Sequence, residues 1–243
     1  MARINKKNII SGKISNLVFR NIEGNQYVQS QPSNMKQTRN TKLSSSEFIA
    51  CSKWTRHLRI RLNSLLMGLT DTYMYKRFTG HFYATLRSNT NLMKGERNPF
   101  NANMSGLAGF EFNTHSPFAA HFLAEIAVSV EEQNQVKVVL PVLNPTTAMV
   151  FPKRIGAAEL VVYVLATTFD QNKAVVEAHF TTPIVKYTAI EEAITWVSPP
   201  IPNDYFIVVS AQLLFYEANA FTQKNYLNTK VLNPACILFA SGS

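Results

Sequence analysis

The chain has 243 residues, of which 46% are hydrophobic, and it carries a formal net charge of +9. This composition supplies enough apolar side chains for a core and excludes a chain that is disordered throughout. No apolar run reaches the roughly 18–20 residues of a membrane helix, and the first basic residues are not followed by the apolar stretch of a secretory signal. We therefore expect no membrane span and no signal peptide, and a protein that is cytoplasmic or lies within an assembled particle.

The charge is divided unevenly along the chain. Residues 1–97 hold 17 of the 24 basic side chains but only 4 of the 15 acidic ones, whereas residues 98–243 are slightly acidic and apolar. A cationic segment attracts polyanions or acidic protein surfaces. The division predicts that residues 1–97, the basic front, bind a partner and that residues 98–243 fold into a packed domain.

The first segment, residues 1–43, is predicted as a basic arm with a β-hairpin over residues 13–30. Two short apolar runs flank Glu23 and Gly24, and glycine supplies the positive φ that a tight turn requires. Residues 31–43 are polar, which is typical of a linker.

Residues 44–97 are predicted as a basic helical segment. A first helix begins near Ser44, where serine hydroxyls can accept hydrogen bonds from the first free amides. A second helix spans about 71–87, although Gly80 costs it about 1 kcal/mol relative to alanine. The two helices can form an antiparallel pair. Spacings of three and four give the first helix an apolar stripe, which consists of Phe48, Cys51, Thr55, Leu58, Leu62, Leu65 and Leu69.

Residues 98–243 change to a period of two, with short β-branched and aromatic segments between turn residues. This rhythm is typical of two packed antiparallel sheets. The predicted fold class is therefore mainly β with an N-terminal α segment, in which an Ig-like antiparallel β-sandwich follows a β-hairpin and a helical pair. The candidate strands are 107–113, 125–130, 136–140, 148–151, 159–169, 174–180, 184–187, 194–197, 205–216, 226–231 and 236–240.

Catalytic patterns are lacking in the sequence. It contains neither a phosphate-binding glycine loop nor a nucleophile elbow, and its two cysteines are far apart. His115 and His121 are close in sequence, but only Glu111 and Glu125 lie near them, which is too few converging ligands for a metal site. We expect no catalytic residue, no cofactor, no metal and no small-molecule substrate, and hence a protein that is not an enzyme.

The basic helical segment is the one constellation that indicates a function. Basic groups interleaved with aromatic rings are what nucleic-acid binding uses. Basic side chains are equally at home on a solvated helix face or on a surface that docks a protein, so all three alternatives stay open. The predicted partner-binding residues are Lys53, Arg56, Arg59, Arg61, Lys76, Arg77 and Arg87.

The order of these features resembles an uncharacterised bacterial domain-of-unknown-function family of similar length. The resemblance rests on Ser11-Gly12-Lys13-Ile14-Ser15-Asn16-Leu17-Val18, on the turn at Gly24, on the segment 107–113 and on the strands near 160–163 and 206–209. It departs from the family pattern at Ser15, where members usually have glycine. The resemblance implies a hairpin, a helix and a β-sandwich, and it transfers no activity.

The preferred hypothesis is a non-catalytic structural or assembly protein whose basic front makes protein–protein contacts or self-associates. A particle or virion component is one version of it. The alternative is a nucleic-acid-binding module that uses the basic helical face. A ligand-binding sandwich, with Trp196, Tyr205 and Tyr226 in its loops, is a third possibility.

Overall fold

The structure is a computed structural model. In it the chain forms two compact units, Met1–Lys42 and Leu43–Ser243. The helical residues from Leu43 onward and the predicted sandwich lie in the same unit. Glu23 of the predicted turn and residues 32–35 of the predicted linker lie outside the described residues. The described residues are 2–5, 8–22, 24–31, 36–219 and 222–242.

The first unit contains an antiparallel four-stranded meander, in which each strand pairs with the next. The predicted hairpin is confirmed as β3 and β4, with Ile22 opposite Asn25 next to Gly24. The two preceding strands were not predicted, and β1 has only two residues and so shows no alternation. The strands are β1 (Arg3–Ile4), β2 (Ile10–Ile14), β3 (Leu17–Ile22) and β4 (Asn25–Ser30).

The two predicted helices are present as α1 (Arg39–Leu66) and α2 (Met74–Ser88). The predicted start of the first helix at Ser44 is wrong. Thr38 provides the cap instead, because its Oγ1 accepts a hydrogen bond from the Thr41 amide at 3.2 Å. The polar segment that resembled a linker therefore contributes the first turn of the helix.

The rest of the second unit is mainly β, and all of its strand pairs are antiparallel. One sheet has the order β11-β10-β7-β8, with β12 also paired to β10, and a second sheet has the order β5-β6-β9. This confirms the β-rich antiparallel class, while the Ig-like arrangement stays a prediction. The elements are α3 (Phe118–His121), β5 (Ala127–Val130), β6 (Val136–Leu140), α4 (Pro145–Ala148), β7 (Ala157–Thr167), β8 (Val176–Val185), β9 (Ile194–Val197), β10 (Phe206–Asn219), β11 (Thr222–Tyr226) and β12 (Ala235–Gly242).

The central strands β7 and β10 are buried on both faces. On β7, Leu160 and Val162 face the core shared with the three-stranded sheet, while Tyr163 and Leu165 face the core shared with the helices. A strand covered on both faces needs apolar residues at nearly every position. That is why these two strands lack the alternation of the others.

Five predicted strands differ in the structure, including 226–231, which shares only Tyr226 with β11. In place of the strand 107–113, a 3-10 turn at Ser105–Leu107 is followed by irregular pairing with β12, and Gly109 takes a φ of +81°. In place of the strand 148–151, Ala148 ends α4, whose first turn is capped by Asn144, and Met149 makes an isolated bridge with Phe122. The segments 174–180 and 184–187 belong to one strand, β8, which tolerates Pro183 because it lies at a sheet edge.

Asn233 joins the helices to the sheet. It is fully buried, and its Nδ2 donates to the carbonyl oxygens of Leu66 at 3.3 Å and Leu69 at 3.0 Å, at the end of α1. Its Oδ1 accepts from Gln212 at 2.7 Å and from Asn228 at 2.8 Å. One amide therefore satisfies the end of a helix and a polar patch of the sheet together.

Replacement of Gly242 by alanine is expected to destabilise the second unit. A Cβ at Gly242 would lie 2.3 Å from the carbonyl oxygen of Pro99 and 2.8 Å from the Cα of Phe100, so backbone must move. We expect the free energy of unfolding to fall by about 1–3 kcal/mol in urea titrations. Gly156→Ala is the matched control, because a Cβ there meets nothing within 4 Å. Equal effects of the two substitutions would contradict the close approach.

Candidate docking surface

The helical pair is fixed by an aromatic cluster on one face of the large sheet. Phe78 and Phe82 of α2 are buried, with ring centroids 5.1 Å from Phe110 and 6.3 Å from Phe206, respectively. Leu58 of α1 is fully buried in the same core. The opposite sides of both helices are thereby left to the solvent.

A groove of about 400 Å³ lies between α1 and α2 on this outer side. The hydroxyls of Thr55 and Thr79 meet across it at 3.0 Å. Gly80 also lines it, and a Cβ at Gly80 would meet nothing within 4 Å beyond its own helix turn. Packing within the described chain therefore does not explain a glycine that weakens α2.

Phe48 belongs to this groove rather than to the buried stripe in which it was predicted. Its side chain is 47% exposed, and its ring meets that of Tyr83 edge to face at 5.4 Å. Five other residues of the predicted stripe are buried as predicted, namely Cys51, Thr55, Leu58, Leu62 and Leu65.

Cations lie over the tyrosine rings along both helices. The Arg59 guanidinium is 5.5 Å from the ring centroid of Tyr75, and Lys76 Nζ is 5.4 Å from that of Tyr73. Arg87 lies over Tyr83 at 5.5 Å. Such contacts stabilise exposed pairs by about 0.5–1 kcal/mol each. They hold the positive groups close to the helix surface.

A second cleft, of about 710 Å³, lies on the other side of α1. Lys53, Arg56 and Arg61 line it together with Trp54 and His57, so Arg56 borders both clefts. Burial, together with the positive charge of Arg61, lowers the pKa of His57 below its usual value. The imidazole of His57 is therefore neutral at neutral pH, so it adds no positive charge beside Arg61.

The acidic residues in α1 and just before α2 do not neutralise this surface. Glu47 points inward and accepts a hydrogen bond from the Gly95 amide at 2.8 Å, and Asp71 pairs with Arg77. The ion pairs found among the described residues involve none of the six remaining predicted cations. We call these six the cationic surface: Lys53, Arg56, Arg59, Arg61, Lys76 and Arg87.

Arg77, the seventh predicted residue, has a different environment. Its guanidinium pairs with Asp71, donates to the carbonyl oxygen of Glu111 at 3.0 Å, and lies 5.2 Å from the ring centroid of Phe110. Its charge is therefore balanced within the chain, and it fastens α2 to the segment that precedes α3. Nothing in its sequence neighbourhood distinguishes it from Lys76, because its partners come from other elements.

His121 and Glu111 make structural contacts, and the thiol of Cys51 is buried. His121 Nδ1 lies 2.9 Å from the carbonyl oxygen of Val150, and Glu111 accepts from the Phe118 amide at 2.7 Å. Burial raises the pKa of the Cys51 thiol to about 12, which leaves it unreactive at neutral pH. In the part of the chain that the structure describes, no group of three or more His, Cys, Asp or Glu side chains could hold a metal ion.

Comparison of the chain with models of protein families, with curated proteins and with solved structures finds no match in any of the three. The resemblance to a bacterial family therefore stays a prediction. None of the helices described is long and apolar enough to cross a membrane. The function must be inferred from the chain's own side chains.

Replacement of Asp71 by asparagine is expected to destabilise the second unit in a pH-dependent way. Burial alone would raise the pKa of Asp71, but hydrogen bonds from Arg77 and from the Thr114 and Tyr73 amides lower it below its usual value of 3.8. A depressed folded-state pKa contributes stability above the unfolded-state pKa, and this stability is lost as the pH falls through the folded-state value. We expect a loss of about 2 kcal/mol at pH 7.

Urea unfolding at neutral pH and below pH 3.8 measures this difference. The gap between the variant and the original chain should shrink on acidification. Asp204→Asn is the control, since its exposed pair with Lys173 contributes little to stability. A gap for Asp71→Asn that is constant with pH would contradict the assignment.

Proposed function

We propose that this chain is a non-catalytic docking protein that binds an acidic segment of a protein partner on the cationic surface. The observation that carries the proposal is that five of these six basic side chains line two clefts, and that none of the six has a carboxylate partner among the described residues. Like charges held together repel one another, so an acidic partner relieves that repulsion on binding.

The clefts supply the apolar contact that docking needs in addition to charge. Phe48 and Tyr75 are 47% and 46% exposed at the groove, and Ile60 is 59% exposed beside the second cleft. Exposed aromatic and aliphatic groups rimmed by arginine are typical of protein interfaces. A helix or extended segment with acidic and apolar side chains fits this combination.

The positions of the tyrosine rings favour protein over nucleic acid. Stacking of bases requires a free ring face, but Arg59 and Lys76 already lie over Tyr75, and Arg87 lies over Tyr83. A carboxylate can approach these cations from the solvent without displacing them from the rings. The groove of about 400 Å³ also suits individual side chains rather than a duplex.

In this proposal the β-rich body supports the helices and performs no reaction. The proposal extends to a structural or assembly role, with a particle or virion component as one version of it. What supports the extension is that the basic helices are carried on a rigid sheet, which presents them to a neighbour in a fixed geometry.

The charge of the cationic surface is tested by a triple substitution, Arg56→Gln, Arg59→Gln and Lys76→Gln. The probe is a fluorescein-labelled amphipathic helical peptide rich in glutamate, and binding is followed by anisotropy. Exposed charge pairs contribute up to about 1 kcal/mol each, so we expect affinity to fall by about tenfold or more.

The matched control replaces three cations of the β-rich body, namely Lys153, Arg154 and Lys186, with glutamine. It removes the same net charge at a distance from the clefts. If both triple variants weaken binding equally, the effect is that of overall charge and the docking surface is disproved.

The groove is tested separately by Gly80→Leu. Leucine replaces a poor helix former at a position where its side chain meets open space, so stability should stay equal or rise by up to about 1 kcal/mol. The same side chain fills the groove, so peptide affinity should fall. Gly80→Ala is the comparison, because it improves the helix but adds only a methyl group. Unchanged binding by Gly80→Leu would place the partner elsewhere.

Nucleic-acid binding is the second candidate, favoured by the interleaving of Trp54, Tyr73 and Tyr75 with basic groups. A labelled single-stranded oligonucleotide in the same assay tests it. Binding through this surface should weaken steeply with salt and should fall in the triple variant. Tighter binding to the oligonucleotide than to the acidic peptide would make this candidate the preferred one.

A further inference from the structure

The meander of the first unit has two chemically different faces. Residues paired across antiparallel strands share a face, and alternate residues of one strand point to opposite faces. Ile14 pairs with Leu17, Phe19 pairs with Val28, and Ile4 pairs with Ile10. Because Ile10 and Ile14 share one side of β2, and Leu17 and Phe19 share one side of β3, all six lie on a single face. We call it the apolar face.

The opposite face carries the charge. Arg3 pairs with Ser11, Lys13 pairs with Val18, and Arg20 pairs with Tyr27. Lys13 and Arg20 are each next in sequence to a residue of the apolar face, so their side chains point the other way. The described residues thus place every strand cation of this sheet on one side.

The apolar face is open in the structure. Ile4 is 68% exposed, Ile14 50%, Leu17 39% and Val28 55%. A single sheet cannot bury such a face by itself, and stable domains consist of at least two packed layers. The face therefore lacks a second layer.

The geometry points to a second copy of this chain as that layer, in which the apolar faces of two meanders stack against each other. The face has no charged side chain of its own, and Arg3, Lys13 and Arg20 all point away from it. Two copies can therefore meet face to face without opposing like charges, as a twofold interface between identical surfaces requires.

The area of the apolar face fits this occupant. The exposed fractions of its side chains correspond to about 500 Å² per sheet, so a stacked pair buries on the order of 1,000 Å². That is close to the lower limit for a specific interface, so the dimer should be reversible. Two stacked sheets also complete the two-layer arrangement that one sheet lacks.

This self-association uses residues 3–28, whereas the proposed docking function uses α1 and α2. The self-association and the docking function can therefore be disproved independently of each other. The triple variant of Arg56, Arg59 and Lys76 should dimerise like the original chain, and a variant that cannot dimerise should still bind the acidic peptide.

Sedimentation velocity of the full chain, from about 1 µM to about 100 µM, measures the association. We expect a monomer–dimer equilibrium, and we expect Ile14→Thr with Val28→Thr to weaken it at least tenfold. Threonine keeps the β-branched shape that strands favour, so the sheet itself should persist. The matched control is Val18→Thr with Ile22→Thr, the same chemical change on the charged face.

Disulfide trapping with one introduced cysteine per chain tests whether the apolar faces meet, independently of the threonine variants. Both native cysteines are buried. Leu17→Cys places a thiol on the apolar face, and Arg20→Cys places one on the charged face of the same strand. Mild oxidation should link two chains through position 17 and leave the other variant mostly monomeric on a non-reducing gel.

Three results would overturn the inference. The first is a chain that stays monomeric over the whole concentration range. The second is an equal effect of the two threonine pairs, and the third is equal disulfide trapping at positions 17 and 20.

Discussion

The position of α1 depends on one buried amide. Asn233 is fully buried, and it satisfies two carbonyl oxygens at the end of α1 while it accepts from Gln212. Four carbonyl groups at the end of any helix lack partners within the helix, and leaving them dry costs free energy. The loop before β12 supplies the donor, so the end of α1 and the buried Gln212 of the central strand β10 are satisfied by the same side chain. This contact holds the end of α1 against the sheet, so the opposite side of the helix faces the solvent.

The aromatic cluster fixes the second helix in the same way. Phe78 and Phe82 are buried against Phe110 and Phe206, and Arg77 adds a charged contact to the Glu111 carbonyl. Because the apolar sides of both helices are used for packing, their basic side chains are left on the solvent-exposed cationic surface, which borders both clefts. The acidic residues that could neutralise that surface are used elsewhere, since Glu47 binds a loop amide and Asp71 binds Arg77. The positive surface follows from how the core is built.

The two units carry surfaces of opposite character. The helical pair offers cations around shallow clefts, which suits an acidic partner. The meander offers an apolar face with its charges turned away, which suits a second copy of itself. The docking proposed for the first surface and the self-association proposed for the second are both consistent with the structural role that we propose. Gly80 weakens α2, and no contact within the described chain requires a glycine at this position. A partner that occupies the groove is the reason we propose for it.

Local patterns in the sequence determined the β-rich class, the helical pair, the hairpin and the positive front, because periodicity and charge are properties of neighbouring residues. Tertiary structure decided the rest. Thr38 caps α1 in place of Ser44, and Phe48 lies at a groove instead of in the core. Arg77 could not be separated from Lys76 by sequence, because Asp71 and Glu111 approach it only in the folded chain. Which cations stay unpaired depends on contacts between residues far apart in sequence, and those contacts exist only once the helices have packed on the sheet.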